Sequence, residues 1–210
     1  MTGAWIFSIT CYIFAIALAW WINYNCLWLV SVAALCTIIY SVPPLRTKKH
    51  WLAASITIAI PRGILLKVAG WSVLLDIYTL EPWYIGSIFG LFLLGATSTK
   101  DYADIKGDRI DQCITLPIRF GVKKSAWLIA PFLTLPFLFF PIGVFLKILT
   151  GNPILIYALG ISLCLWGSYI VFLLIRDPDS LANTENHPSW KHMYLMMMYA
   201  QIGLAIAYLV

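Results

Sequence analysis

Thr99–Gly121, TKDYADIKGDRIDQCITLPIRFG, is the stretch from which the rest of the chain is best read. It sets Asp101, Asp104, Asp108 and Asp111 in one short window, four of only nine acidic residues in the 210-residue sequence. At roughly 100° per residue on a helix, the four carboxylates fall within an arc of about 80°. Like charges three and four apart repel, and nothing in the folding of a membrane helix asks for them. A hard divalent cation such as Mg²⁺ does ask for them, because it takes carboxylate oxygens and then shares a substrate phosphate. The plainer reading of the same window is a solvated loop after a membrane span, with Lys100, Lys106 and Arg109 interleaved.

Outward from this window the sequence is apolar in both directions. The whole is 61% hydrophobic and 11% charged, with a mean hydropathy of +0.86, which excludes an ordinary soluble domain. Seven stretches are long enough to cross a bilayer of about 30 Å, which takes around 20 helical residues. They lie near Trp5–Ile22, Cys26–Val42, Trp51–Leu75, Trp83–Ser98, Ala126–Lys147, Pro153–Ile175 and His192–Val210. The expected fold is all-α, a polytopic transmembrane helical bundle of about seven spans, with residues 1–210 forming a single domain. The first stretch has no basic flank and no small-residue cleavage site after it, so it reads as a span rather than a signal peptide. Cys11, Cys26, Cys36, Cys113 and Cys164 show no CxxC spacing and read as small core residues.

The formal net charge of +5 does not point to nucleic acid, because the basic residues sit in short loops. They alternate instead. Arg46, Lys48 and Lys49 fill one loop, six Lys and Arg fill residues 100–124, and Arg176 and Lys191 bracket the last. The positive-inside rule places residues 43–50, 100–124 and 176–191 on the cytoplasmic side, leaving Lys147 outside. Trp5, Trp51, Trp83 and Trp127 lie near span ends, where an amphipathic ring suits the interface. Met193, Met196, Met197 and Met198 read as adaptable packing. His50, His187 and His192 show no ligand spacing, and the Asp177–Trp190 loop is polar enough to cover a site.

A second charged element faces the acidic window. In Tyr40–His50, YSVPPLRTKKH, Pro43 and Pro44 end a helix and hold the chain extended. Arg46 and Lys48 then stand at the same membrane face as the aspartates, where Arg suits bidentate phosphate contact and Lys supplies a point charge. Inside the third span, IPRGILLKVAG carries Arg62 and Lys67. A charge within a span is costly and marks a polar cavity by default. Five residues apart on a helix, the two point about 140° from one another, so they are not expected to share a ligand. Lys67 is expected to snorkel outward, and Pro61 and Gly63 allow a helix break beside Arg62.

KDYADIKGDR followed by TLPIRFG resembles the second Asp-rich motif of the UbiA superfamily of intramembrane aromatic prenyltransferases, and YSVPPLRTKKH resembles that family's Tyr…Pro-Pro-Leu-Arg/Lys loop. The resemblance covers nearly the whole chain, in the expected order. It implies that Asp101, Asp104 and Asp108 hold Mg²⁺ bridging an isoprenyl diphosphate, and that Arg46, Lys48 and Tyr40 neutralise the leaving diphosphate. Lys100 and Arg109 would help from the other side. It further implies an aromatic or other lipophilic acceptor, a place in isoprenoid or quinone biosynthesis, and a bacterial inner membrane with the active-site loops cytoplasmic. The Arg62–Gly63 pair resembles the branch that prenylates homogentisate, without fixing the acceptor. The family's first Asp-rich motif is missing, since no Asp or Glu precedes Asp76, and two of its nine spans have no counterpart. The resemblance therefore implies the C-terminal part of a longer enzyme, weakly active or inactive alone. Two other readings stand beside it: a non-catalytic prenyl-lipid-binding or partner subunit, and a cation transporter. The transporter is disfavoured by expected spans that hold no carboxylate.

Overall fold

Lipid offers no hydrogen-bond partners, so apolar runs of this length close their own backbone bonds as helices. The computed structural model describes residues 2–184 and 187–210. In chain order come α1 (Thr2–Ile22), α2 (Tyr24–Ser41), a 3₁₀ turn (Thr47–Lys49) and α3 (Trp51–Ala59). A π-helical turn (Ile60–Leu65) leads on into α4 (Leu66–Trp71). Then follow α5 (Leu80–Ala96), the single turn α6 (Ser98–Asp101), and the short α7 (Ile105–Ile110) and α8 (Leu116–Phe120). α9 (Val122–Thr134) runs through a 3₁₀ stretch (Leu135–Leu138) into α10 (Phe139–Phe145). α11 (Pro153–Arg176), α12 (Pro178–Asn183) and α13 (Pro188–Leu209) complete the chain. No β-strand occurs among the described residues beyond one isolated bridge, His50 to Ile114.

Seven of these helical stretches are long and apolar enough to cross a bilayer, as expected. The fourth is longer than its hydropathy suggests, running Leu80–Asp101. Glu81 and Asp101 therefore lie inside a span, which corrects the expectation that the spans hold no carboxylate. Glu81 sits in the first turn of α5, where a carboxylate suits the positive end of the helix dipole.

α5 is the central post. Ile85, Ile88, Phe89, Phe92 and Leu93 are buried along it, against α3, the π turn, α4 and α9. α11 pairs with α9 on one flank and α13 on the other. α1 packs on α2 and buries only Ala19 among its described residues; the rest of its apolar surface is suited to lipid.

Close approach at the centre depends on glycine. A Cβ added to Gly63 would fall on the Gly90 backbone, so the π turn and α5 touch main chain to main chain. Gly86 and Gly90 supply the small-residue spacing that permits such contact between membrane helices.

The bundle end away from the acidic window is stitched by polar groups. Asn23 Nδ2 donates to the Ser72 carbonyl at 2.6 Å. The Glu81 carboxylate, 8% exposed, accepts from the Thr150 N–H at 2.6 Å, from the Thr150 hydroxyl at 3.0 Å and from the Tyr208 hydroxyl. It thereby joins α5, the α10–α11 turn and α13. Truncating an acceptor that serves buried donors costs about 1–3 kcal/mol. Glu81→Ala is accordingly expected to lower the melting temperature in detergent, and an unchanged melting temperature would show this knot to be dispensable.

Candidate active site

The acidic window does not form one helix. α6 ends at Asp101, the chain turns through Tyr102–Asp104, and α7 restarts at Ile105. Tyr102 is 1% exposed, and the break comes where its ring is drawn into the core. Asp104 stands just outside α7 with φ −91° and ψ 2°. This corrects the expectation of four carboxylates on a single helical arc. Even so, Asp101, Asp104 and Asp108 line one cavity of about 300 Å³, together with Tyr40, Lys48, Lys100 and Thr97. Asp111 is set apart and pairs with Lys48 at 3.7 Å.

The Pro-Pro loop and the acidic window meet at the same end of the bundle. The Ile114 N–H donates to the Lys49 carbonyl at 2.8 Å, and Trp51 meets the Phe120 ring edge-on at 5.3 Å. Gly121, at φ 80°, makes the turn into α9 in a conformation that L side chains rarely adopt. Arg46 takes a left-handed backbone conformation, φ 35°, at the head of the 3₁₀ turn that delivers Lys48 to the cavity.

Of the six expected substrate-binding residues, the structure collects Tyr40, Lys48 and Lys100 around this space and Arg62 in the chamber beneath it. Arg46 and Arg109 line neither cavity and make no ion pair among the described residues. Thr97, Cys113 and Thr115 also line the acidic cavity; Thr115 opens the TLPIRFG segment but is not singled out by it, and Thr97 carries no signal in the sequence.

The electrostatics favour a cation. Burial and the neighbouring Asp104 charge hold the Asp108 carboxyl above the usual carboxylate range, and Lys100 pairs with Asp104 at 3.7 Å. The Thr97 hydroxyl is buried without a partner among the described residues. No three His, Cys, Asp or Glu side chains among the described residues are close enough to enclose an ion by themselves. An ion held here would need water or substrate oxygens beside one or two carboxylates, which is how Mg²⁺ is commonly bound.

Beneath the acidic cavity lies a chamber of about 290 Å³ that shares Tyr40, Ile58, Thr97, Lys100 and Asp101 with it. Leu93, Trp190, Met193, Tyr194, Met197 and Gln201 complete its wall, with Arg62 and Lys67. Two methionines of the Met-rich run thus face a cavity, while Met196 is buried and Met198 points outward. Lys67 does not snorkel. Its Nζ donates to Gln201 Oε1 at 2.6 Å and stands 4.9 Å from the centre of the Phe89 ring. Beside the mouth, α12 and the residues that follow it lie against the site: Leu181 and Ala182 of α12, with Thr184 and His187 after it, line a further space of about 450 Å³ with Lys100 and Asp104.

Known proteins similar to this chain are named as prenyltransferases and a related synthase. Homogentisate solanesyltransferase of Arabidopsis thaliana is 39% identical over 95 residues, 42% of this chain and 25% of the relative. Digeranylgeranylglyceryl phosphate synthase of Methanosphaera stadtmanae is 27% identical over 186 residues, 84% of this chain and 59% of the relative. Homogentisate phytyltransferase of Synechocystis sp. is 30% identical over 132 residues, 58% of this chain and 41% of the relative. The chain thus spans between a quarter and about three-fifths of the length of these relatives. No solved structure matches it. The profile of the UbiA prenyltransferase family matches residues 1–198, and the chain belongs to that family.

Proposed function

We propose that this chain binds a Mg²⁺–isoprenyl diphosphate at the acidic mouth and serves transfer of the isoprenyl group to a lipophilic acceptor inside the membrane. One observation carries the reading: a single cavity gathers Asp101, Asp104 and Asp108 with Lys48 and Lys100, and shares five residues with a chamber whose wall joins apolar and aromatic side chains to Arg62, Lys67 and Gln201. The names of the relatives, a solanesyltransferase, a phytyltransferase and a glyceryl phosphate synthase, support it. The charge asymmetry of the loops supports a cytoplasmic mouth.

In the proposed reaction the allylic C1–O bond breaks and its electron pair leaves with the diphosphate. A nucleophilic carbon or oxygen of the acceptor then bonds to C1, and the acceptor loses a proton. One or two of Asp101, Asp104 and Asp108, with water and diphosphate oxygens completing the shell, would hold Mg²⁺, which when bound offsets charge on the phosphoryl oxygens. Lys48 and Lys100 add positive charge at the leaving group. The Thr97 hydroxyl is free to donate there. Tyr40, Trp190 and Tyr194 line the chamber, where aromatic rings would stabilise positive charge building on the prenyl carbon, and Leu93, Met193 and Met197 give that wall its apolar part.

Titration of the purified chain in lipid nanodiscs with geranylgeranyl diphosphate tests the reading. Affinity in Mg²⁺ is expected to exceed that in EDTA by tenfold or more, and equal affinities would remove it. Lys48→Met is expected to weaken binding about tenfold, the worth of one charge-assisted contact. A second reading, a binder that turns over little by itself, is favoured by the single acidic cluster, since no carboxylate precedes Asp76. Rapid prenyl transfer by the 210-residue chain alone would dismiss it.

A further inference from the structure

Two polar side chains stand where the chamber meets a second, larger space. Lys67 and Gln201 line the chamber of about 290 Å³, and both also line a groove of about 540 Å³ between α4, α5 and α13. Gly70, Trp71, Phe89 and Leu204 line that groove further along, and at its rim Leu74 and Leu209 are exposed. The chamber and the groove are thus neighbours with one shared partition.

The partition is bonded shut. Lys67 Nζ donates to Gln201 Oε1 at 2.6 Å, and Gln201 is itself held, its Nε2 donating to the Met197 carbonyl at 3.2 Å. Nζ also stands 4.9 Å from the centre of the Phe89 ring, which lines the groove and not the chamber. The π turn Ile60–Leu65 allows this closure. On an uninterrupted helix Lys67 would face about 140° away from Arg62, whereas after the π turn both line the chamber. Lys67 meets no carboxylate among the described residues, whose ion pairs are Lys48 with Asp111 and Lys100 with Asp104. Inside a bilayer no water replaces a lost partner, so parting Lys67 from Gln201 costs more than it would at a wet surface.

A tail bound by its diphosphate at the acidic mouth runs past Asp101 into the chamber, since Asp101 borders both spaces. One carbon with its hydrogens takes about 30 Å³, close to the share of one water in the liquid. On that scale the chamber admits about ten carbons, or two isoprene units, and the groove about eighteen more. A longer tail therefore reaches the partition and must displace it.

We propose that the Lys67–Gln201 pair is a length stop for the donor's isoprenyl tail. Two isoprene units lie on the chamber side, and longer tails enter the α4–α5–α13 groove only by parting the pair. Both are positioning residues, remote from the bond that breaks. This assignment rests on the prenyl-transfer reading and names the donor class it favours, a short isoprenyl diphosphate.

The test compares binding of geranyl and geranylgeranyl diphosphate, each with Mg²⁺, to the full chain in nanodiscs. The readout is the ratio of the two affinities, compared between variants in the same lipid, so that partitioning of each tail into the bilayer cancels. Lys67→Ala and Gln201→Ala are each expected to shift the ratio toward the longer donor by about tenfold or more, the worth of one hydrogen bond to a charged group. Lys67→Arg, which keeps the donor and the bulk, should leave the ratio unchanged. A Cβ at Gly70 would meet nothing within 4 Å, so Gly70→Phe can fill the groove. Added to Lys67→Ala, it should return the ratio to the unmutated value. A merely structural role for the pair would weaken both donors alike and leave the ratio where it was. Where Lys67→Ala does not fold, Gln201→Ala, alone and with Gly70→Phe, carries the same reading. A ratio unmoved by opening the pair leaves the groove to bilayer lipid and overturns the proposal, as does a gain that survives Gly70→Phe. Absence of Mg²⁺-dependent binding of either donor to the unmutated chain would strike the prenyl-transfer reading instead, and it is read in a separate arm.

Discussion

Asp101→Asn is expected to weaken Mg²⁺-dependent binding of an isoprenyl diphosphate by on the order of 10²–10³-fold, comparable to removing one strong electrostatic contact from a preorganised site. Asp101 is the one aspartate of the window that borders both the acidic cavity and the chamber beneath it. It therefore stands where the diphosphate meets the prenyl chain. The asparagine keeps the shape and removes the charge, so packing around Tyr102 is preserved. Calorimetric titration with and without Mg²⁺ reads the effect, alongside a melting curve to show that the bundle is intact. A loss smaller than tenfold in a stable variant would withdraw the metal assignment from this residue. Asp104, already paired with Lys100 at 3.7 Å and half exposed, should show a smaller loss on the same substitution.

Gly63→Val is expected to destabilise the bundle by about 3 kcal/mol or more, at the upper end of what overpacking a tight interface costs. The reason lies in what the new atoms would meet. At Gly63 they fall on the Gly90 main chain, which cannot move without shifting α5. The reverse change, Gly90→Ala, meets chiefly the Ile64 side chain, with Cγ1 at 2.9 Å, and a side chain can turn aside. A large drop in melting temperature for Gly63→Val and a small one for Gly90→Ala would support direct backbone contact between the π turn and α5. Equal effects would contradict it.

Much of the candidate site's lining was legible in residue order because its residues are local in the chain. Asp101, Asp104 and Asp108 are close in sequence, and a span end delivers them to one face whether or not the helix continues. Tyr40 and Lys48 follow from the Pro-Pro stop in the same way. Arg46 and Arg109 show the limit. Residue type and spacing place a cation near a site, but a left-handed residue at position 46 and a short exposed helix at 105–110 decide where the side chains go. The Arg62–Lys67 pair, which lines one chamber, shows a different limit. The divergence of about 140° assumes 3.6 residues per turn, and one π turn changes that count. Pro61 and Gly63 signalled a break there, though not the kind of break.

The sequence by itself determined the number of spans, the end of the bundle that carries charge, and the two facing loops. These follow from hydropathy, from the cost of charge in lipid and from residues near one another in the chain. The tertiary structure alone decided that Glu81 is a buried knot rather than a loop residue, that Lys67 turns inward to Gln201, and that Thr97 and the Met-rich helix wall a cavity. Each of those depends on partners far away along the chain, such as Glu81 with Tyr208 and Lys67 with Gln201. No periodicity within one segment can report which distant helix will supply the other half of a contact.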